Sequence, residues 1–67
     1  MTKAEFHAGL VALYFVDEAM VPELGEKWPA FRDNPLWFYR TCRPEHREAI
    51  WREVRRIAFP PPIGAEP

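Results

Sequence analysis

The hydrophobic and polar positions along the chain predict a helical protein without strands. The opening segment, 3–20, contains no proline and is rich in apolar residues. Thr2 and Glu5 have the spacing of a capping box, in which a hydroxyl and a carboxylate satisfy backbone donors at a helix start. A strand over Leu10–Val16 is the alternative, because Val, Tyr and Phe favour strands, but no other segment offers it a partner strand. We therefore expect a long first helix over 3–20.

Prolines divide the rest of the chain into shorter elements. Prolines within 22–33 predict a compact connector with one or two helical turns. Asn34-Pro35 places a capping side chain before a proline at the first helical position, which predicts a short helix over 35–42. A further proline then opens the last predicted helix, 44–58, which carries glutamate in its first turn and arginines in its last turn.

The end of the chain is rich in proline. The segment 60–67 predicts a stiff polyproline start followed by a flexible tail. The run Phe59-Pro60-Pro61-Pro62 resembles the aromatic-plus-proline ligands of EVH1 domains, which would imply a recognition peptide, although a helix stop explains the same prolines. The predicted fold class is all-α: one small three-helix domain over 1–59, followed by a Pro-rich tail over 60–67.

The first helix carries more apolar surface than one neighbour can cover. Its apolar run from Ala8 to Val16 is nine residues long, and at about 100° per residue such a run covers the whole helix circumference. The last helix instead has a single apolar stripe, formed by Ile50, Trp51, Val54, Ile57 and Ala58. On its polar side, Glu48 and Arg52 are spaced for an ion pair. The first helix therefore needs cover either from an aromatic-rich core of this chain or from another chain.

Composition limits the ways in which such a chain can be stabilised. It has 67 residues, of which 48% are hydrophobic and 15% aromatic, with a net charge of −1. A chain this short buries only about 60% of the surface that its unfolded form exposes. Cys42 is the only cysteine, so no disulfide can form within the chain, and a lone thiol favours a cytoplasmic location. No apolar run approaches the roughly 20 residues of a membrane span, and no signal peptide is expected.

These features predict a small non-catalytic protein–protein interaction module. It would be an accessory subunit or inhibitor, of a size common among phage-encoded and mobile-element proteins, that docks an aromatic and aliphatic patch on a larger protein or on itself. Aromatic and arginine side chains are typical of binding hot spots. The predicted protein-binding residues are Val11, Tyr14, Phe15, Trp28, Trp37 and Tyr39, with Arg40 and Arg43 at the rim.

The basic second half of the chain supports an alternative function, nucleic-acid binding. A helix that carries several arginines could lie along phosphates or enter a major groove. The candidate residues are Arg47, Arg52, Arg55 and Arg56. Glutamates on the same helix neutralise part of this charge, which is typical of a solvated, ion-paired face. DNA or RNA is therefore the less favoured partner.

The sequence contains few candidate catalytic residues or metal ligands. Cys42 and His46 are four residues apart, but Pro44 between them breaks any common helix face. His7 is the only other histidine, whereas a structural zinc site needs four ligands. The Cys42–His46 pair also lacks a third orienting group and a glycine-rich oxyanion loop. We expect no enzyme activity, metal, cofactor or small-molecule substrate.

Overall fold

The computed structural model describes residues 1–60, and this part of the chain is helical and contains no strand. Its α-helices are α1 (Lys3–Ala12), α2 (Trp28–Asp33), α3 (Pro35–Thr41) and α4 (Pro44–Ala58). Three 3₁₀ turns lie between α1 and α2, at Leu13–Phe15, Glu18–Met20 and Pro22–Lys27. The all-α prediction is confirmed. The structure describes nothing beyond position 60, so all of the predicted Pro-rich tail except its first residue lies outside the described part of the chain.

The local start signals were predicted correctly. Thr2 and Glu5 form the expected capping box, in which Thr2 Oγ1 accepts a hydrogen bond from the Glu5 amide at 3.1 Å. At the start of α3, Asn34 Oδ1 accepts from the Trp37 amide at 3.3 Å. Helix α4 begins at Pro44 and ends at residue 58, as predicted. These contacts involve residues close in sequence, which explains why the sequence alone reveals them.

The first helix is shorter than predicted, because α1 ends at Ala12 instead of residue 20. After a single 3₁₀ turn the backbone becomes extended at Val16 and Asp17. Asp17 Oδ1 accepts from the Ala19 amide at 3.0 Å and so caps the next turn, an arrangement that competes with continuation of the helix. Val16 is buried in the core, and burial of its side chain stabilises the break.

The connector between α1 and α2 contains a backbone kink at Gly25. This residue has φ 51° and ψ −122°, and it divides the Pro22–Lys27 turn. A residue with a Cβ rarely adopts a positive φ, whereas glycine does so without steric cost. Gly25 therefore permits the direction change that leads the chain into α2.

An ion pair attaches the connector to α4. Arg52 donates to both carboxylate oxygens of Glu23, at 2.7 and 3.1 Å, and to the Met20 carbonyl at 3.0 Å. These bonds hold the pKa of Glu23 well below its ordinary value, at about 2. The predicted pair of Arg52 with Glu48 is wrong, because Arg52 reaches across to the connector instead.

The core lies where α1 and the connector meet the other helices. Phe31 is at its centre, with ring centroids 5.2 Å from Trp28 and 5.7 Å from Phe38. The buried hydrophobic residues are Ala12, Leu13, Val16, Val21, Leu24, Trp28, Phe31, Phe38, Ala49, Ile50 and Val54. The placement of Trp28 in a binding patch is therefore wrong, since its ring packs on Phe31 inside the domain.

Helix α4 buries one charged residue together with its apolar stripe. Ile50 and Val54 are fully buried, as the periodicity predicts, but so is Glu53. Arg56, one turn further along, covers Glu53 and donates from Nε to its carboxylate at 2.7 Å. Pairing with a partly solvated guanidinium allows this carboxylate to lie at the edge of the core.

Helix α1 is held to the domain by apolar packing. Gly9 lies beside Trp51 and Val54 of α4, and Ala12 and Leu13 enter the core. Within residues 1–60, no side-chain hydrogen bond or ion pair joins α1 to another helix; its own polar side-chain contacts are those of the capping box. The attachment of α1 therefore depends on hydrophobic contact.

Candidate protein-interaction surface

Helix α1 and the turn after it have one buried and one exposed side. The buried side consists of Gly9, Ala12, Leu13 and Val16. The opposite side, here called the outer face, consists of Phe6, Leu10, Val11, Tyr14 and Phe15. Leu10 is half-buried, but the other members are 51%, 45%, 68% and 68% exposed, in chain order. Residues 1–60 therefore cover only one side of the all-round apolar segment.

The outer face borders a shallow open groove. Its walls come from α1 and the following turn, with one residue from α3, and the lining residues are His7, Leu10, Val11, Tyr14, Phe15 and Leu36. We call this the outer groove. Among the described residues that line it, the imidazole of His7 and the hydroxyl of Tyr14 are the polar side-chain groups. The surface offered there is mainly apolar and aromatic.

A second groove, the inner groove, lies between α1, α3 and α4. Its volume is about 170 Å³, and its lining residues are Met1, Glu5, Phe6, Gly9, Leu10, Leu13, Leu36, Tyr39, Arg40, Trp51 and Val54. Leu10 and Leu36 line both grooves, so the two form one continuous apolar surface. The inner groove is smaller than the roughly 300–1,000 Å³ of typical small-molecule pockets. Its size suits one or two inserted side chains.

Most of the predicted protein-binding residues lie on or beside this surface. Val11, Tyr14 and Phe15 belong to the outer face, and Tyr39 and Arg40 line the inner groove. Helix α3 thus adds Tyr39 and Arg40 to a surface that consists mainly of residues from α1 and the turn after it.

Two predicted residues lie elsewhere on the exterior. Trp37 is exposed but lines neither groove. Arg43 is exposed and stands 3.9 Å from Glu45, its neighbour across Pro44. Neither side chain is placed to contact a partner that occupies only the two grooves.

Several residues that line this surface were not among the predicted protein-binding residues. Phe6 and Leu10 precede Tyr14 at four-residue intervals, so helical spacing could have placed them on the outer face. Leu36 and Trp51 come from other helices. Their contribution depends on how α3 and α4 pack against α1, which no local pattern encodes.

The arginines proposed for nucleic-acid binding are largely engaged within the molecule. Arg52 binds Glu23 and Arg56 binds Glu53, as described above. Arg55 lies over the Trp51 ring, with its guanidinium carbon 6.0 Å from the ring centroid. These contacts do not create a continuous row of unpaired cations along α4.

The side chain of Arg47, in α4, caps the C-terminal end of α3. It donates to the carbonyls of Tyr39, Arg40 and Cys42, at 3.2, 3.5 and 3.5 Å. The last carbonyls of a helix lack partners within the helix, and a cation beside them is favourable. Arg47 therefore fixes the corner between α3 and α4.

Cys42 and His46 show no sign of cooperating in catalysis. The thiol of Cys42 is half-buried and lies 3.6 Å from the Tyr39 carbonyl. Burial raises the pKa of this thiol, in spite of the opposing effect of Arg47, and a protonated thiol is a poor nucleophile. The His46 ring stacks on Phe38 instead, with centroids 6.4 Å apart. Residues 1–60 contain no cluster of three or more potential metal ligands.

Comparisons with known proteins supply no relative from which a function could be transferred. No family model matches the chain, and no curated protein or solved structure is significantly similar to it. In the described part of the chain, no helix has the length and apolar character to cross a bilayer. What the protein does has to be inferred from its own exposed residues.

Proposed function

We propose that this protein is a non-catalytic interaction module, an accessory subunit or inhibitor that docks its outer face and inner groove on a protein chain. The observation that carries the proposal is the exposure of three aromatic rings and a valine on one side of α1 and the turn after it. Aromatic anchors close to apolar grooves, with polar groups at the margin, are the usual anatomy of a binding hot spot.

The size of the exposed patch supports this function. An aromatic side chain presents about 150–250 Å², so the exposed fractions of Phe6, Tyr14 and Phe15 together amount to about 350–400 Å². Val11 and the half-buried leucines raise the patch to roughly 500 Å². Patches of about 300–600 Å² are the largest found on typical monomers and are often functional.

The energy available from covering this patch is comparable with the cost of association. At about 25 cal/mol per Å², removing about 500 Å² from water contributes on the order of 12 kcal/mol from this side of the interface. Association itself costs about 4–15 kcal/mol. A partner that contributes a similar apolar surface would bind with useful affinity.

The margin of the patch carries charge of both signs. Arg40 and Glu5 stand at the inner groove, where they would orient a partner with little effect on affinity. The proposed site of action is the cytoplasm, which is supported by the single half-buried thiol of Cys42.

Site-specific photo-crosslinking tests the proposal. A photoreactive phenylalanine analogue replaces Phe15 on the outer face or, as the control, Met20, which is 45% exposed and lies outside both grooves. The variants are expressed in cells that naturally produce the protein. We expect protein adducts from position 15 and none from position 20, with Val11→Glu abolishing the adducts at 15. Equal labelling from both positions, or no adduct at position 15, would contradict the proposal.

A further inference from the structure

The outer face has two parallel rows of side chains. Phe6, Leu10 and Tyr14 form one row at four-residue spacing, and Val11 and Phe15 form the other, which His7 of the outer groove extends. Rows of this kind are the ridges that fit into the grooves of a second helix. Two helices that both present such ridges pack at a crossing angle of about −50°. The outer face is therefore shaped to receive a helix of its own kind.

Charges at the two ends of the outer face differ in sign. Lys3 is exposed at the start of α1, where the nearby Glu5 carboxylate accepts from the Thr2 amide in the capping box. Asp17 and Glu18 are exposed just after the 3₁₀ turn that ends the face. A two-fold axis through the middle of the outer face, near Val11, would bring the Lys3 end of one copy toward the acidic end of the other. Such an arrangement also opposes the two helix dipoles, which is favourable.

The area agrees with a weak, reversible dimer. Each copy presents roughly 500 Å² of apolar surface, so two copies would bury about 1,000 Å² in total, near the lower limit for a specific interface. A stable standard interface buries about 1,200–2,000 Å². Interfaces of this size are typical of weak, transient complexes, and we expect the dimer to dissociate at micromolar concentrations.

We infer that the occupant of the outer face is a second copy of this chain, which forms a two-fold symmetric dimer through crossed α1 helices. The inference rests on the proposed function, because it names the partner of the same surface. In a symmetric interface each residue near the axis meets its own counterpart. Val11, midway along its row between His7 and Phe15, is the residue expected to lie closest to that axis.

Sedimentation equilibrium of the full 67-residue chain, from about 1 to about 200 µM, tests this directly. We expect monomer at the lowest concentration and mostly dimer at the highest. Val11→Glu places two like charges near the axis and should weaken the dimer at least about 100-fold. Met20→Glu introduces the same charge at a site that is equally exposed, 45%, and should change the constant less than about twofold. Circular dichroism confirms that both variants are folded.

A charge exchange tests the two-fold orientation. Lys3→Glu should weaken the dimer about two- to fivefold, and adding Glu18→Lys should restore it, because rim ion pairs contribute modestly. A dimer that Val11→Glu leaves intact would overturn the inference, since it would use another surface. A chain that stays monomeric at about 200 µM would overturn it as well.

The crosslinking experiment separates this inference from the proposed function. Adducts at position 15 with twice the mass of the chain support both. If the adducts have another mass and the purified protein is monomeric, the dimer inference is wrong and the proposed function as an interaction module stands. If neither adducts nor a dimer are found, the dimer inference and the proposed function are both wrong.

Discussion

Phe31 is the residue through which the core can be tested most directly. It is 1% exposed, and its ring contacts Trp28 and Phe38 at centroid distances of 5.2 and 5.7 Å, tilted at 46° and near perpendicular at 78°. An aromatic pair contributes about 0.5–1.5 kcal/mol beyond its buried area. Phe31→Leu keeps an apolar side chain but removes both pairs. We therefore expect a loss of about 1–3 kcal/mol in the free energy of unfolding.

This loss is large relative to the total. At about 0.05–0.15 kcal/mol per residue, a chain of this length has a stability of about 3–10 kcal/mol. Phe31→Leu should remain folded with a clearly lower urea midpoint, whereas Phe31→Ala, at about 3–5 kcal/mol, should lower the midpoint further. Urea titration followed by far-UV circular dichroism at one fixed protein concentration measures both variants.

The matched control is Phe59→Leu, which makes the same change at an exposed position. Surface substitutions are usually within about 0.5 kcal/mol of the parent, so its midpoint should be unchanged. If Phe31→Leu and Phe59→Leu shift the midpoint equally, the aromatic cluster is not the centre of the core.

Two further predictions concern the connector. Gly25→Ala should lower the thermal midpoint by the equivalent of about 1–3 kcal/mol. The cause is backbone strain at φ 51° and not crowding, because no atom lies within 4 Å of an added Cβ. An unchanged midpoint would show that the backbone adapts freely. The pKa of Glu23 is lowered from 4.5 to about 2, so its pair with Arg52 stabilises the fold above about pH 4.5 and is lost as pH falls toward 2. Glu23→Gln should therefore lose less thermal stability than the parent between about pH 6 and pH 3, and equal losses would refute the assignment.

The predictable parts of the fold are those determined by neighbours in sequence. Asn34 and Pro44 mark helix starts because capping and proline geometry act within one turn. The end of α1 was not predictable in this way. Helix propensity over 13–20 is acceptable, and the break depends on burial of Val16 and on the alternative cap that Asp17 provides.

Long-range pairing explains the other differences. Arg52 was expected to pair within its own helix, but Glu23 offers a bidentate partner from the connector. Trp28 follows no helical stripe, and only the packing of Phe31 against it shows that it belongs to the core.

The candidate surface was predictable in kind but not in detail. The all-round apolar run indicated that the first helix would need cover either from aromatic residues of this chain or from another chain. Which side is covered depends on the small residues Gly9 and Ala12, which allow α4 to approach closely. Helical spacing from Tyr14 then places Phe6 and Leu10 on the opposite side.

Within residues 1–60, no polar side-chain contact joins α1 to the other helices. The conditions that detach α1 should therefore differ from those that separate the other helices. Arg47 and Arg52 connect α3, α4 and the connector through hydrogen bonds, whereas Gly9, Ala12 and Leu13 hold α1 by apolar contact. Hydrophobic stabilisation weakens on cooling, and salt screens only the charged contacts. Low temperature, and not high ionic strength, is thus the condition that favours detachment of α1 ahead of the remaining helices.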